Sequence, residues 1–257
     1  MDAVLTSVRN NYFLSVALIL GLVAERGFSP TPLVDAIVSG DRMVVKALID
    51  DGDDVNQADE KGCLPLHAAV QRGHLGMVRD LLAARAKADA LIYEGWAPIH
   101  FAAGYQRTEI ADMLIRAGID INRQDPVGGL TPLCIAIKTR NVLLIRRLIA
   151  AQVDVNCVDN LSFSALHIAV ATGDKEIIRI LLAAGADVNA IAKLPYFAIG
   201  RYVEITPLML ADTRCPDSEI PSMLRSRGAT SSQSQIVLKH LLDGICAVLS
   251  KFELQPS

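Results

Sequence analysis

Three histidines, His67, His100 and His167, are the residues of this chain best suited to catalysis or metal binding. An imidazole can move a proton or ligate zinc, but a metal site requires that several ligands converge on one point. The sequence contains no nucleophile elbow, phosphate loop, HExxH motif or dinucleotide fingerprint. The acidic run over 50–54 lacks the ligand spacing of a calcium loop, so it is interpreted as a solvated helix end.

Composition narrows the function classes further. Five cysteines, an odd number without any CxxC pair, indicate small buried side chains rather than a zinc ribbon or redox motif. The 257 residues are 51% hydrophobic and 21% charged, which is typical of a globular chain. The net charge of −3 and the lack of a Lys/Arg run give no electrostatic footprint for nucleic acid. We therefore expect no catalytic residue, no metal site and no cofactor.

The histidines recur because the sequence itself repeats. Similar tetrads begin at Thr31, Leu64, Ala97, Thr131 and Ser164, in steps of 33, 33, 34 and 33 residues, and a sixth begins at Thr206. A fixed period in this range is typical of stacked supersecondary units. In such a stack the histidines lie on different units, so they are not expected to share a metal ion.

Each repeat predicts a short helix, a tight turn, a second helix and an extended segment. Leu64 and Ala97 replace the capping Thr or Ser, and their helices lack a side-chain cap worth about 1 kcal/mol. Gly185 stands where the second helix needs a residue of left-handed conformation. Arg85 and Gln152 replace that glycine, so we expect strain at both positions and a higher melting temperature when either becomes glycine.

The TPLH-like tetrads, the alanines at 36, 69, 102, 136 and 169, and the closing GADVN at 185–189 resemble the ankyrin repeat family. The resemblance covers residues 29–230. It implies an all-α ankyrin-repeat solenoid of stacked helix-turn-helix units with hairpin fingertips and helical caps at both ends. It also implies a structural role for the tetrad histidines, which in the family hydrogen-bond locally and tie neighbouring repeats together.

The segments that flank the repeat domain are predicted to cap it. Residues 1–28 contain the uncharged stretch 11–24, which is too short to span a bilayer securely. It fits a buried cap or, alternatively, a signal or membrane anchor, and membrane contact is expected only there. Residues 231–257 include an amphipathic helix, interpreted as a C-terminal cap with docking into a partner's groove as the alternative.

The resemblance also implies where a partner would bind, since ankyrin-like proteins use the fingertips and the exposed side of the first helices. The matching positions are Glu60, Lys61, Arg72, Tyr93, Glu94, Trp96, Tyr105, Lys138 and Phe163. Aromatic residues form only 5% of the chain, yet four fall in this set, and aromatic and arginine side chains dominate binding hot spots. For Trp96 and Phe163 the alternative is local packing against neighbouring fingertips.

A longer connection precedes the sixth tetrad. Residues 190–205 exceed the repeat period and carry Tyr196, Phe197, Arg201 and Tyr202. Insertions in solenoids form loops that often lie on the binding face. We interpret this one as a long fingertip that contacts the partner, with a loop folded over the last repeat as the alternative.

These observations predict a non-catalytic protein–protein interaction module that binds a folded protein through a concave face and its fingertips. The alternative is an immunity or inhibitor-type protein that neutralises a partner enzyme, exported or membrane-tethered through its N-terminal segment. The first interpretation predicts a cytoplasmic monomer. Neither identifies the partner.

Overall fold

A computed structural model describes residues 32–60, 62–92, 95–196 and 201–230, with the backbone alone for 194–196 and 201–203. The described residues divide into two compact units, 32–153 and 154–230. The predicted caps in 1–28 and 231–257 lie outside the described residues, as do Lys61, Tyr93, Glu94 and Phe197.

The unit of residues 32–153 contains one pair of helices for each of four repeats. The first helices are α1 (Pro32–Ser39), α3 (Pro65–Arg72), α5 (Pro98–Gly104) and α7 (Pro132–Lys138). The second helices are α2 (Arg42–Asp50), α4 (Leu75–Ala83), α6 (Thr108–Arg116) and α8 (Val142–Ala150). Each first helix packs on the second helix of its own repeat and on the first helix of the next, and the second helices likewise contact one another in order.

The unit of residues 154–230 contains two helix pairs with a hairpin between them. The pairs are α9 (Ala165–Thr172) with α10 (Lys175–Ala183), and α11 (Pro207–Arg214) with α12 (Ile220–Ser226). Strands β1 (Ala192–Tyr196) and β2 (Arg201–Ile205) pair antiparallel, with Ala192 opposite Ile205. The insertion predicted as a long fingertip is therefore a two-stranded hairpin over its described residues.

Apolar faces of the short helices form the core of each unit. In the unit 32–153, Leu133 and Ile137 of α7 and Leu144 and Leu148 of α8 are fully buried. Their spacing of four residues turns one face of each helix inward. Helices of this length are marginal alone, and burying one such side chain contributes about 1.5–3 kcal/mol. Packing between neighbouring helices therefore holds them.

Several non-glycine residues adopt the left-handed conformation. Arg85 and Gln152 have φ of 65° and 63°, which confirms the predicted conformation at both positions. Gln106, Arg140 and Ser162, with φ of 57°, 53° and 63°, share it although the sequence analysis did not identify them. An L-residue in this region costs about 1–2 kcal/mol.

Candidate protein-binding surface

The tetrad histidines are buried near the N-terminal ends of α3, α5 and α9, and each bonds to the repeat that follows. The Nε2 atoms of His67, His100 and His167 lie 3.1, 2.9 and 2.9 Å from the carbonyl oxygens of Trp96, Arg123 and Ile205, respectively. A carbonyl oxygen only accepts, so the imidazole Nε2–H donates. The histidines thus connect consecutive repeats in the way that the resemblance implies.

Burial keeps these imidazoles uncharged near neutral pH. Loss of hydration lowers the pKa of His67 to about 3 and that of His167 to about 4, and it also lowers the pKa of His100. The Nδ1 of His167 accepts a hydrogen bond from the Ser164 hydroxyl at 2.8 Å. The buried Nδ1 of His67 has no hydrogen-bond partner among the described residues, and Leu64 has no hydroxyl to offer it.

The three imidazoles do not converge on one point, because each is committed to a carbonyl in a different repeat. Within the part of the chain that the structure describes, no group of three or more His, Cys, Asp or Glu residues could hold a metal ion. Each histidine instead connects its own repeat to the next one by a hydrogen bond.

Buried aspartates close the fingertips, and sequence reasoning missed them. The Oδ1 of Asp59 accepts the Cys63 N–H at 2.7 Å, and the Oδ1 of Asp159 accepts the Phe163 N–H at 2.9 Å. Asp125 plays the same part in the one-residue-longer fingertip of its repeat. The recurrence of Asp a few residues before the tetrad was the available signal. These bonds fix the fingertip backbone before any partner arrives.

Asparagine side chains form a second set of connections between repeats. The Nδ2 of Asn56 donates to the Arg85 carbonyl at 3.4 Å, and its Oδ1 accepts the Lys87 N–H at 2.8 Å. Asn156 makes the equivalent bond to the Gly185 carbonyl at 3.3 Å. The asparagines therefore hold the residues that follow the second helices α4 and α10.

Trp96 is buried, and its assignment to a partner-binding surface is corrected. The side chain is only 3% exposed, and its ring lies edge-on to His100 with the centroids 5.6 Å apart. Trp96 pairs with Ile92 in a β-bridge, and side chains alternate in direction along an extended chain, so the residue before the tetrad points inward. Phe163, at the same repeat position, is half-buried with its ring 5.5 Å from that of His167.

The remaining predicted residues occupy three places. Glu60 is exposed at a fingertip. Arg72 is exposed at the end of α3, and Tyr105 and Lys138 are half-buried at the ends of α5 and α7. The other three, Tyr196, Arg201 and Tyr202, lie in β1 and β2. The ends of α3, α5 and α7 are therefore the part of the predicted surface where the structure describes side chains in three consecutive repeats.

Tyr105 links the ends of two first helices. The Nε2 of Gln71 donates a hydrogen bond to the Tyr105 Oη at 3.1 Å, which joins the end of α3 to that of α5. Burial raises the pKa of the Tyr105 phenol, whereas the Gln71 bond and the charges of Arg107 and Arg72 act in the opposite direction. A half-buried ring is thus held within electrostatic reach of two guanidinium groups.

The turns between first and second helices are connected in the same way. The Nδ2 of Asn141 donates to the Thr108 Oγ1 at 2.9 Å, which joins the turn after α7 to the first residue of α6. Arg107 lies over the turn after α3, since a Cβ at Gly73 would be 2.7 Å from the Arg107 Nε. Sequence reasoning missed Arg107 and Arg140, although basic residues recur after these first helices.

Comparison with known proteins matches the chain to a family described as ankyrin repeats, in three copies over residues 5–91, 33–125 and 124–192. The chain is 33% identical over 118 residues to the nuclear factor NF-kappa-B p105 subunit of Gallus gallus, which covers 44% of this chain and 12% of that protein. It is 30% identical over 108 residues to the NF-kappa-B inhibitor alpha of Sus scrofa, and the match covers 40% of this chain and 34% of that protein. It is 29% identical over 170 residues to an L-asparaginase of Dirofilaria immitis, and the match covers 53% of this chain and 29% of that protein.

The chain thus spans about a third or less of the length of these relatives. The first family match begins at residue 5, inside the segment predicted as an N-terminal cap, signal or anchor. Among the residues that the structure describes, no helix combines the length and apolar character needed to cross a membrane, and the stretch 11–24 is not one of those residues.

Proposed function

This chain belongs to the ankyrin repeat family, and we propose that it binds a folded protein through a surface that includes the ends of α3, α5 and α7. Ankyrin repeats mediate protein–protein interaction, and the family is generally non-catalytic. We name the proposed contact region within the unit 32–153 the turn surface, formed by Gln71, Arg72, Tyr105 and Lys138.

The observation that carries the proposal is the placement of Tyr105. Tyrosine and arginine are enriched in binding hot spots because they bury a large area and retain a polar end. Tyr105 has Arg72 and Arg107 close by, and the bond from Gln71 holds its hydroxyl. A ring already held in place loses less conformational entropy when a partner packs on it.

The packing of the helices that carry the turn surface also supports the proposal. The turn surface stands on first helices whose other ends are connected by His67 and His100 to the next repeat. A site built on packed helices keeps its side chains at fixed spacing, whereas a site on a free loop must be ordered on binding. The unit 32–153 therefore provides a preorganised contact region.

Fingertip contacts remain a second, separate part of the proposal. Glu60 is exposed at its fingertip, and Phe163 is half-buried with its ring against that of His167. For the residues at positions 61, 93, 94, 196, 197, 201 and 202, partner contact stays a prediction from the sequence. Trp96 is not part of the proposed surface.

Affinity purification tests the turn surface. The full chain is compared with the double variant Arg72→Ala and Tyr105→Ala, and with a control that carries Arg79→Ala and Arg116→Ala on the exposed side of α4 and α6. We expect a partner held by the native and control chains to be lost from the double variant, with matching circular dichroism in all three. Retention of the same partners by the double variant would overturn the assignment.

A second candidate is an inhibitor-type protein that blocks a partner's activity. The relative named NF-kappa-B inhibitor alpha favours it, because that name describes an inhibitor. This candidate predicts a stoichiometric complex in which the purified partner loses its own activity. A captured partner that remains fully active in the complex would exclude it.

The location of the protein stays part of the proposal. We propose a cytoplasmic monomer, with export or membrane tethering through residues 11–24 as the alternative. Fractionation of the full chain beside a variant that lacks residues 1–28 distinguishes the two. Membrane recovery of the full chain, lost with the deletion, would establish the alternative.

A further inference from the structure

We propose that residues 11–24 dock along one side of α2, where they cover the first end of the unit 32–153 and are withheld from membranes. This inference goes beyond the proposed function and does not depend on it. It is carried by an apolar surface that the first repeat leaves exposed. We name this surface the α2 face, formed by Met43, Val44, Ala47 and Leu48.

Val44 is exposed at a position that the next four repeats bury. It is 44% exposed, whereas the equivalent residues are 0–2% exposed: Met77, Ile110, Leu144 and Ile177. In the unit 32–153, α4, α6 and α8 each pack on the second helix of the repeat before them. Because α2 is the first second helix that the structure describes, it lacks this support on one side.

Two further positions identify the same side of the first repeat. Leu48 is half-buried, whereas the equivalent residues are fully buried: Leu81, Leu114, Leu148 and Leu181. Asp35 of α1 is exposed, whereas its equivalents are buried: Ala68, Phe101, Ile135 and Ile168. The uncovered side is therefore apolar on α2 and charged on α1, which favours apolar docking on α2.

The α2 face is an uninterrupted apolar stripe. Met43 is 78% exposed, and Ala47 is also exposed one turn later, so the four residues lie on one side of the helix. In each of the next four second helices, a charged residue occupies the position of Met43 or of Ala47: Asp80, Glu109, Arg147 and Glu176. Those charges keep the outer sides of the later helices polar. The first repeat has no such charge in the stripe.

Residues 11–24 fit the α2 face in chemistry and in length. The stretch contains no charged residue and is mostly apolar. In helical form its 14 residues would extend about 21 Å, which is enough to lie along the nine residues of α2, about 14 Å. The first family match begins at residue 5, so the repeat pattern of the family continues through this stretch.

The connection to α1 brings the stretch within reach of the α2 face. Seven residues, 25–31, precede Pro32, and an extended chain of that length spans about 23 Å. Helix α1 packs directly on α2, and packed helices lie about 8–10 Å apart. A segment tethered this closely meets the face at a much higher effective concentration than a separate molecule does. This favours the chain's own segment over a second copy or a partner protein.

Docking and membrane insertion compete for the same residues. The end of a repeat stack requires a cover for its apolar side, and an uncharged apolar stretch is stabilised by leaving water. Docking on the α2 face satisfies both requirements within one chain. A tethered form would withdraw the stretch from α2 and leave Val44 exposed to water. The docked form is therefore not expected to bind lipid.

Thermal unfolding of the full chain tests the docking. Val44→Asp places a charge on the α2 face, and the control Leu143→Asp places one in the first turn of α8, where Leu143 is 55% exposed. Aspartate is favourable in the first turn of a helix, so an uncovered Val44 predicts no loss. We expect Val44→Asp to lower the midpoint by about 4 °C or more and the control to change it by less than about 1 °C.

Two further measurements locate the segment. In a chain that lacks residues 1–28, Val44→Asp should no longer lower the midpoint, because the cover is absent. With p-benzoylphenylalanine placed in turn at Phe13, Leu18 and Leu22 of the full chain, we expect photo-cross-links within one chain to peptides from 42–50. Flotation with phosphatidylcholine vesicles should recover little of the native chain and more of Val44→Asp.

Each of the following results would overturn the inference. They are an unchanged or higher midpoint for Val44→Asp in the full chain, an equal loss with Leu143→Asp, and an equal loss in the chain without residues 1–28. If that shortened chain does not fold, the cross-links decide. Cross-links between two chains would assign the α2 face to a second copy, and flotation of the native chain would establish the membrane alternative.

Discussion

The two ends of the first helices differ in how they vary from one repeat to the next. At the N-terminal end, His67, His100 and His167 all bury an imidazole and bond to the following repeat. At the C-terminal end, the residue before the second helix is Asp41 or Asp174 in two repeats and His74 or Arg107 in two others. The first end keeps one geometry. At the second end, Asp41, Asn141 and Asp174 cap the next helix, whereas His74 and Arg107 make no cap bond.

Because the repeats share the same backbone fold, residues at equivalent positions of different repeats can be compared with one another. A position that makes the same bond in several repeats is needed for stacking, and its substitution should cost stability. A position whose residue changes while the backbone stays the same is free of that constraint. The turns are therefore where function can be encoded, and the following predictions test that division.

Lowering the pH should have the largest effect, and it acts on the histidine end. The ordinary histidine pKa is 6.5, and burial lowers it to about 3 for His67 and about 4 for His167. Between these values and 6.5 the unfolded chain takes up protons that the folded chain excludes. Stability present above pH 6.5 is therefore lost as the pH falls, by about 1.4 kcal/mol per pH unit for each histidine.

Urea unfolding at a series of pH values measures this loss. The variant His167→Gln should show a shallower dependence, since one of the titrating groups is gone. An unfolding midpoint that stays constant as the pH falls from 7 toward 5 would contradict the prediction.

His100→Ala should destabilise the unit 32–153 by about 3 kcal/mol, because it removes a buried ring and leaves the Arg123 carbonyl without its donor. Arg72→Ala, on the turn surface, should change the free energy of unfolding by no more than about 0.5 kcal/mol. Urea unfolding of both variants at neutral pH checks the contrast. Similar losses in the two would remove the distinction between the two ends.

Exchanging the caps should move stability in opposite directions. Asp174→Ala should lower the free energy of unfolding by about 1 kcal/mol, and His74→Asp should raise it by about the same amount. Thermal unfolding measures both. A lower midpoint for His74→Asp would mean that the contact of the His74 ring with the turn at Gly40 outweighs a cap.

Glycine at the strained second-helix ends should give the smallest effect. Arg85→Gly and Gln152→Gly relieve left-handed strain but add freedom to the unfolded chain, for a net gain of about 0.5–1 kcal/mol each. Arg79→Gly, in the middle of α4, is the control and should lose about 1 kcal/mol. Lower stability in both Arg85→Gly and Gln152→Gly would refute the assigned strain.

Much of the fold could be predicted from the sequence, because its signals are local and recur. The period of the tetrads located each helix pair, and the position of Gly185 identified Arg85 and Gln152 as left-handed. The candidate site was predicted less well. Arg72 is exposed and Tyr105 is half-buried, and their contact with a partner stays a prediction, whereas Trp96 is buried, because a β-bridge with Ile92 sets the direction of its side chain.

The sequence by itself determined the repeat period, the helix pairs and the residues that break the pattern, since each depends on neighbours within a few positions. Tertiary structure decided what the histidines bond to, because their carbonyl partners lie 23 to 38 residues away along the chain. It also decided the burial of Trp96 and the placement of Tyr105 beside Arg72 and Arg107. These properties depend on how one repeat packs on the next, which no single repeat encodes alone.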